Sequence, residues 1–343
     1  VQHAVESELA DAVDRFGAKG AAAVVLDVNT GEVLASASIP QVDPAHPAMS
    51  LEASRADKIA GSTFELGSVF KTVTLAMVLN EGLASLDSIV DAREPLTAGR
   101  FTIRDLHPLG RPMSAAEVFI HSSNIGAARL ALLAGPQRHQ AFLRHMQLLD
   151  AMKTEAGPVA APQLPQDWRE VETMTIAFGH GLAIAPLQFA AAAAALVNGG
   201  TRVAPTFIEQ GTDGGQAKVR LVTAATSDRI RELMRRNVTD PAGTGKRADV
   251  AGYEVGGKTG TAEMPGPGGY REKAVISSFL AAFPMSRPKY LVFVLLFEPK
   301  PTAAADGELV AGLNAAPTTA SIIGRIGPLL GMLPAKSAAA EPG

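Results

Sequence analysis

The sequence predicts an α+β fold: an antiparallel sheet flanked by helices, with an all-helical lobe inserted into it. Three observations predict it: a β-rich hairpin near the N-terminus, three β-rich runs near the C-terminus, and a long helix-periodic stretch between them. Because the sheet is split along the chain, the helical lobe is an insertion. The seam between lobe and sheet is a natural cleft.

The elements follow in order. Val5, Leu9, Ala12, Val13 and Phe16 recur at helical spacing and stop at Gly17, so a helix comes first. Ala21–Asp27 and Val33–Ser38 are strands joined by Asn29-Thr30-Gly31-Glu32, with Gly31 supplying the tight turn. The stretch from Ser68 to Leu79 has helical apolar spacing and ends near Gly82, so Ser68 opens a helix. Further helices are expected over Ala115–Ala134, Gln137–Leu149 and Pro186–Val197. Val255–Glu263, Val275–Phe283 and Tyr290–Phe297 read as a meander, with loops over Met264–Lys273 and Pro284–Lys289. Ala320–Leu333 reads as a last amphipathic helix, and Pro334–Gly343, rich in Ala and Pro, as a disordered tail. The expected division is therefore residues 1–62 and 250–333 for the sheet lobe, 63–249 for the helical lobe and 334–343 for the tail.

Composition narrows the function. A chain of 343 residues has room for roughly two domains. The formal charge of −3 is spread over both signs with no basic stripe, which excludes nucleic acid as a partner. The absence of Cys excludes disulfides and thiolate metal sites and suits an oxidising compartment. The longest uncharged apolar stretches, Phe189–Val197 and Tyr290–Phe297, fall well short of the about 20 residues a spanning helix needs. The chain opens on Val1-Gln2-His3 with no signal-like segment, so the expectation is a removed N-terminus with any membrane anchor upstream.

Three short words carry chemistry. Ser68-Val69-Phe70-Lys71 places a serine and a lysine three apart, on one face of a helix. Lys71 is a base for Ser68 only when neutral, which an ordinary lysine near pKa ~10.4 is not. Burial and a second cation, for which Lys258 is the candidate, would favour the neutral amine. A helix N-terminus would stabilise charge developing at Ser68. On its own this word fits a surface helix with a solvated lysine better than a catalytic pair. A second match, Ser286-Arg287-Pro288-Lys289, contains a proline at the mouth of a strand and reads as a turn. Ser122-Ser123-Asn124 interrupts an apolar helix pattern and, taken alone, reads as the N-cap of the segment from Ile125. His121 beside it reads as a packed or surface residue rather than a general base. Lys258-Thr259-Gly260-Thr261 lies in a strand, where glycine is unfavourable unless another backbone comes close. An edge strand of this kind can receive an extended peptide while Lys258 and the Thr hydroxyls attract a carboxylate; a glycine-rich turn is the simpler alternative. The word does not match a phosphate-binding loop.

In combination and in this order, the three words resemble the penicillin-binding proteins and serine β-lactamases. Glu65-Leu66-Gly67-Ser68, Val118 to Asn124, Phe178-Gly179-His180-Gly181 through Pro186-Leu187-Gln188, and Gly257 to Ala262 are similar to the division-specific class B penicillin-binding proteins, the FtsI-type septal transpeptidases. The likeness runs from about Ala21 to Phe297 and covers the transpeptidase domain only. Leu66 departs from the proline that relatives often carry there, a change expected to touch only the start of the helix.

The resemblance implies a penicillin-binding-protein/serine β-lactamase-like fold and acyl transfer on peptidoglycan stem peptides ending in D-Ala-D-Ala. It implies Ser68 as nucleophile, Lys71 as base, and Ser122 as proton relay. Asn124 would hold the peptide amide and Lys71, the backbone N–H groups of Ser68 and Thr261 would form the oxyanion hole, and Lys258, Thr259 and Thr261 on the Gly260 strand would receive the carboxylate. β-Lactams would trap Ser68, and no metal or organic cofactor is implied. It also implies the periplasmic face of the inner membrane, reached through an N-terminal anchor outside this chain. The implied partners are divisome proteins, including a lipid-II polymerase. A β-lactamase is disfavoured, since neither Leu79-Asn80 nor Leu313-Asn314 has a Glu three residues before its Leu. A D,D-carboxypeptidase and a non-catalytic β-lactam sensor stay open. The Met264–Gly269 loop is expected to gate the cleft.

Overall fold

Both ends of the chain build one sheet. The computed structural model describes residues 1–98, 101–210, 219–266, 269–301 and 309–335. Helix α1 (Gln2–Phe16) stops where Gly17 takes φ 54, and β1 (Gly20–Asp27) and β2 (Val33–Ile39) form the hairpin. Gly31 turns it with φ 81, close enough to Ala204 that a Cβ would lie 2.2 Å from its carbonyl oxygen. Helices α2 (Lys71–Asn80), α3 (Ala115–Ile120), α4 (Asn124–His145), α5 (Glu170–Ile176), α6 (Pro186–Val197) and α7 (Ala224–Thr239) follow. Among them run three small ribbons: β3 (Ile89–Val90) with β6 (Met113–Ser114), β4 (Leu96–Ala98) with β5 (Phe101–Ile103), and β7 (Lys153–Thr154) with β8 (Gly157–Pro158). The chain closes with β9 (Gly256–Gly266), β10 (Gly269–Phe283), β11 (Tyr290–Phe297) and α8 (Ala315–Leu329).

The main sheet has the order β2-β1-β11-β10-β9 and is antiparallel throughout. The join between the two ends of the chain is β1 against β11, in register from Gly20↔Phe297 to Asp27↔Tyr290. Side-chain alternation then builds a core on each face. Ala22, Val24 and Leu26 pack with Phe293 and Leu295 against the helices α2 to α7. Ala21, Ala23 and Val25 pack with Val292 and Val294 against α1 and α8. Covered on both faces, β1 and β11 are buried at every position, which is why they read as unbroken apolar runs.

The expected fold class stands, with four corrections. Ser68 lies in a 3₁₀ turn, Gly67–Phe70, and the α-helix begins at Lys71. The segment expected as one helix over 115–134 breaks into α3 and α4 at Ser122, which takes φ 59, and α4 breaks again at Gly135 (φ 71) before Pro136. Most of the expected 264–273 loop is strand, since β9 and β10 pair as far as Gly266↔Gly269; the gating expectation falls partly on residues 267–268, outside the described residues. Helix α8 begins and ends earlier than expected, and the start of the supposed tail is anchored, Ala335 N donating to Gly252 O at 2.9 Å. Residues 336–343 of that tail lie outside the described residues. Ser286 sits on the turn between β10 and β11, as expected of the discarded match.

Candidate active site

The edge strand β9 and the turn before α2 approach each other closely enough to exclude side chains. A Cβ on Gly260 would lie 2.8 Å from Leu66 O and 2.4 Å from Ser278 Oγ. A Cβ on Gly67, at φ 60, would lie 2.4 Å from Thr261 O. Close backbone approach was the reason expected for glycine in the Lys258 strand, and its partner is this chain's own Leu66 carbonyl. The same turn is held from the other side by Gly67 N donating to Gly179 O at 3.2 Å.

That contact sets Ser68 against the middle of β9, beside the break between α3 and α4. Helix α3 is capped by Ser114 in a reciprocal bond pair with Glu117, and Ser123 caps α4 through Gly126 N. The capping reading of this word thus holds for Ser123. Ser122, caught between the two helices with a left-handed backbone, turns both its carbonyl and its hydroxyl toward Lys71.

Lys71 is fully buried and has four oxygen neighbours: Ser122 O at 2.6 Å, Asn124 Oδ1 at 2.7 Å, Ser68 Oγ at 2.9 Å and Ser122 Oγ at 3.2 Å. The first two can only accept, and Asn124 Nδ2 donates elsewhere, to Arg104 O at 3.1 Å. A neutral amine spends its two N–H bonds on those acceptors. Its lone pair is left for the Ser68 hydroxyl. Burial first, and then the charge of Lys258, push the Lys71 amine well below its ordinary pKa, while Asp105 opposes them.

Lys258 is also fully buried. Its Nζ lies 2.9 Å from Ser122 Oγ, 3.2 Å from Thr259 O, 3.3 Å from Thr259 Oγ1 and 5.7 Å from the centre of the Phe119 ring. Burial lowers its pKa to about 7. Ser122 Oγ therefore bridges two amines that cannot both hold a charge cheaply: burial lowers both, and the charge of Lys258 adds a further push on Lys71.

A cleft of about 930 Å³ opens above these groups, with Ser68, Ser122, Asn124, Thr259 and Thr261 in its wall. The structure thus gathers all eight sequence-selected residues: five line the cleft, Lys71 and Lys258 lie beneath it, and Gly260 admits the approach. His121 also lines the cleft. Among the described residues no group of three or more His, Asp or Glu side chains is placed to hold a metal ion.

Several residues here escaped the sequence reading. Asp105 caps α4 from a loop, accepting from Ser123 Oγ at 2.7 Å, Asn124 N at 2.6 Å and Ile125 N at 3.0 Å. Thr244 lines the cleft with its hydroxyl 2.7 Å from that of Thr259. Glu65 joins three segments at the wall, accepting from Gly181 N at 2.9 Å and the Tyr270 hydroxyl at 2.8 Å, with His180 Nδ1 at 3.4 Å. The glycines flanking Thr244 were a visible signal, and Glu65, His180 and Gly181 stand in segments that carry the family likeness, though without a role assigned to them.

Residues 21–319 match the penicillin binding protein transpeptidase domain. The chain is 39% identical over 340 residues to the probable peptidoglycan D,D-transpeptidase FtsI of Caulobacter vibrioides, covering 97% of this chain and 58% of that protein. It is 32% identical over 337 residues to penicillin-binding protein PbpB of Mycolicibacterium smegmatis, covering 92% of this chain and 51% of that protein. The chain thus spans little more than half the length of these curated relatives. Among solved structures it is similar to the apo transpeptidase domain of Burkholderia pseudomallei penicillin-binding protein 3, with TM-score 0.84, 28% identity, and coverage of 97% and 95%. Penicillin-binding protein 3 of Mycobacterium tuberculosis in complex with aztreonam gives TM-score 0.85 at 29% identity, covering 98% of this chain and 78% of that one.

Proposed function

Because the chain belongs to the transpeptidase domain family of the class B penicillin-binding proteins, we propose that it catalyses acyl transfer between peptidoglycan stem peptides through an ester on Ser68. One observation carries the reading: a buried amine, Lys71 Nζ, lies 2.9 Å from Ser68 Oγ with two pure acceptors holding its N–H bonds. That is the geometry of a base ready to take a hydroxyl proton.

In the proposed sequence Ser68 Oγ attacks the carbonyl carbon of the penultimate D-Ala, and its proton passes to Lys71. The oxyanion is received by the backbone N–H groups of Ser68 and Thr261, a pairing supported by the close contact of Gly67 with the Thr261 carbonyl. The C–N bond breaks as the departing amine takes a proton through Ser122, which reaches both Lys71 and Lys258. The terminal D-Ala leaves. An amine from a second stem peptide then attacks the ester and loses its proton to Lys71, which passes a proton back to Ser68 Oγ as the ester C–O bond breaks and the new amide leaves. Lys258, Thr259 and Thr261 hold the donor carboxylate, and Asn124 holds the donor amide. A β-lactam enters the same path and stays on Ser68 because no second product leaves.

The septal role, the periplasmic location on an anchored longer protein, and a divisome with a lipid-II polymerase belong to the same proposal. They are supported by the likeness to FtsI. Among the described residues no helix is long and apolar enough to cross a membrane. So do the lobe boundaries at 62/63 and 249/250, supported by the main-sheet strands all lying outside them. Fluorescent penicillin labelling followed by peptide mapping tests the core of the reading. The label is expected on Ser68, absent in Ser68→Ala, and long-lived. Label surviving Ser68→Ala would overturn the nucleophile, and rapid turnover would point to hydrolysis. Transfer of a stem peptide to an added amine separates the transpeptidase from a carboxypeptidase or a sensor.

A further inference from the structure

A chain of hydroxyls runs from the cleft wall into the protein. Thr259 Oγ1 lies 2.7 Å from Thr244 Oγ1, and Thr244 Oγ1 lies 3.0 Å from Asn237 Oδ1. Asn237, on α7, is fully buried. Its amide is fixed from both sides: Nδ2 donates to Gly257 O at 2.9 Å, and Oδ1 accepts from Thr244 N at 3.2 Å. The loop carrying Thr244 rests directly on this side chain. A Cβ on Gly243 would lie 2.2 Å from Asn237 O, and one on Gly245 would lie 3.0 Å from Asn237 Nδ2. Gly245 N adds a bond to Asn237 O at 3.0 Å.

Counting protons gives the chain a direction. Asn237 Oδ1 only accepts, and Thr244 has one hydroxyl proton. In the free cleft Thr244 donates to Asn237, and Thr259 donates to Thr244. The Thr259 proton then points inward, and its lone pairs face Lys258 at 3.3 Å. An arriving carboxylate needs that proton pointing outward. The chain can reverse without losing a bond: Thr244 swings its proton to Thr259, Thr259 donates into the cleft, and Asn237 Oδ1 keeps the Thr244 N–H. Two hydroxyl bonds exist before and two after, and the new one is charge-assisted.

We propose that Asn237 and Thr244 are positioning residues for carboxylate capture, forming a reversible hydroxyl chain that turns the Thr259 proton toward the terminal carboxylate of an acyl donor. The inference rests on the acyl-transfer reading above and adds a selectivity to it. A donor ending in a carboxylate reverses the chain; one ending in a neutral ester has no charge with which to do so.

The test compares two small acyl donors, N-benzoyl-D-alanyl-thioglycolate and its methyl ester, on the full chain and on Thr244→Val and Thr244→Ser. Thiol release and mass spectrometry of the Ser68 adduct give the acylation kcat/KM. For Thr244→Val the free acid is expected to lose on the order of three- to tenfold, the worth of one hydrogen bond in such a chain, while the ester changes by less than about twofold. Thr244→Ser, which restores the hydroxyl, is expected to recover the free-acid rate. Equal loss on both donors would make Thr244 a structural support and overturn the inference. So would an unchanged free-acid rate. If the unaltered chain releases thiol from neither donor and forms no penicillin adduct at Ser68, the acyl-transfer reading itself fails, and the inference falls with it.

Discussion

Replacing Lys258 by Met separates the charge of the buried amine from its volume. Burial takes the Lys258 pKa from 10.5 to about 7. The folded pKa is thus depressed, so between about pH 7 and 10.5 the unfolded chain binds more protons than the folded one, and stability rises with pH across that window. At about 1.4 kcal/mol per unit, holding the charged lysine in the fold costs roughly 4 to 5 kcal/mol at pH 6 and about 1 kcal/mol at pH 10. Lys258→Met removes this dependence. It also removes the bond to Ser122 Oγ, but that loss adds an offset with little pH dependence. Lys71, relieved of a neighbouring charge, loses part of its own slope, which widens the difference. The stability of Lys258→Met relative to the unaltered chain is therefore expected to fall by roughly 3 to 4 kcal/mol between pH 6 and pH 10. Urea unfolding at five pH values, extrapolated linearly to water, measures it. Other titrating groups contribute equally to both proteins and cancel. Two curves that stay parallel from pH 6 to 10 would refute the buried, depressed lysine on which the site argument depends.

The remaining predictions concern the groups around that amine. Acylation by benzylpenicillin is expected to fall toward acid pH, as Lys71 gains a proton, and to fall again above about 7, as Lys258 loses the charge that attracts the carboxylate; a second-order rate that is flat from pH 5 to 10 contradicts both roles. Gly260→Ala pushes a Cβ to 2.8 Å from the fixed Leu66 carbonyl, so a loss of about 1 to 3 kcal/mol is expected together with at least about tenfold slower labelling of Ser68. Native stability and labelling in that variant would mean the turn and β9 are further apart than described. Asp105→Asn removes the ionised cap shared by Ser123, Asn124 and Ile125, with an expected cost of about 1 kcal/mol in urea unfolding and slower acylation, since Asn124 also holds Lys71. An unchanged unfolding midpoint would show the cap to be dispensable.

What the sequence made legible follows from how far each signal reaches along the chain. β1 and β11 could be read because both faces are covered, and a strand covered twice is apolar at every position. The start of α2 was misread because apolar spacing does not separate a 3₁₀ turn from the first turn of an α-helix, and here the turn is set by a contact with β9 far along the chain. The hairpin from β9 to β10 was read as a loop since its Gly and Pro residues argue against a strand, yet cross-strand pairing overrides that preference. Asp105, Asn237 and Thr244 were invisible for a different reason. Asp105 and Thr244 stand in loops without periodicity, and Asn237 shares the buried face of α7 with Ile230, Leu233 and Met234, where spacing reports burial and not the bonds its amide makes.

The glycines are the exception, and they explain why three weak words make one site. Gly67 belongs to the first word's approach, Gly260 to the third, and Gly179 to the Phe178-Gly179-His180-Gly181 segment. A Cβ on Gly67 would strike the Thr261 carbonyl, one on Gly260 the Leu66 carbonyl, and one on Gly179, at 2.1 Å, the Gly67 carbonyl. Three segments distant in sequence thus meet at one point with only backbone between them. Side chains elsewhere can adjust to a shift of an ångström, but backbones in contact cannot, so this junction fixes Ser68 against β9. The polar residues supply the chemistry, and their separation is inherited from the glycine contacts. A sequence search for a site of this kind would do better to weigh glycines that are unfavourable where they stand than to count serines and lysines.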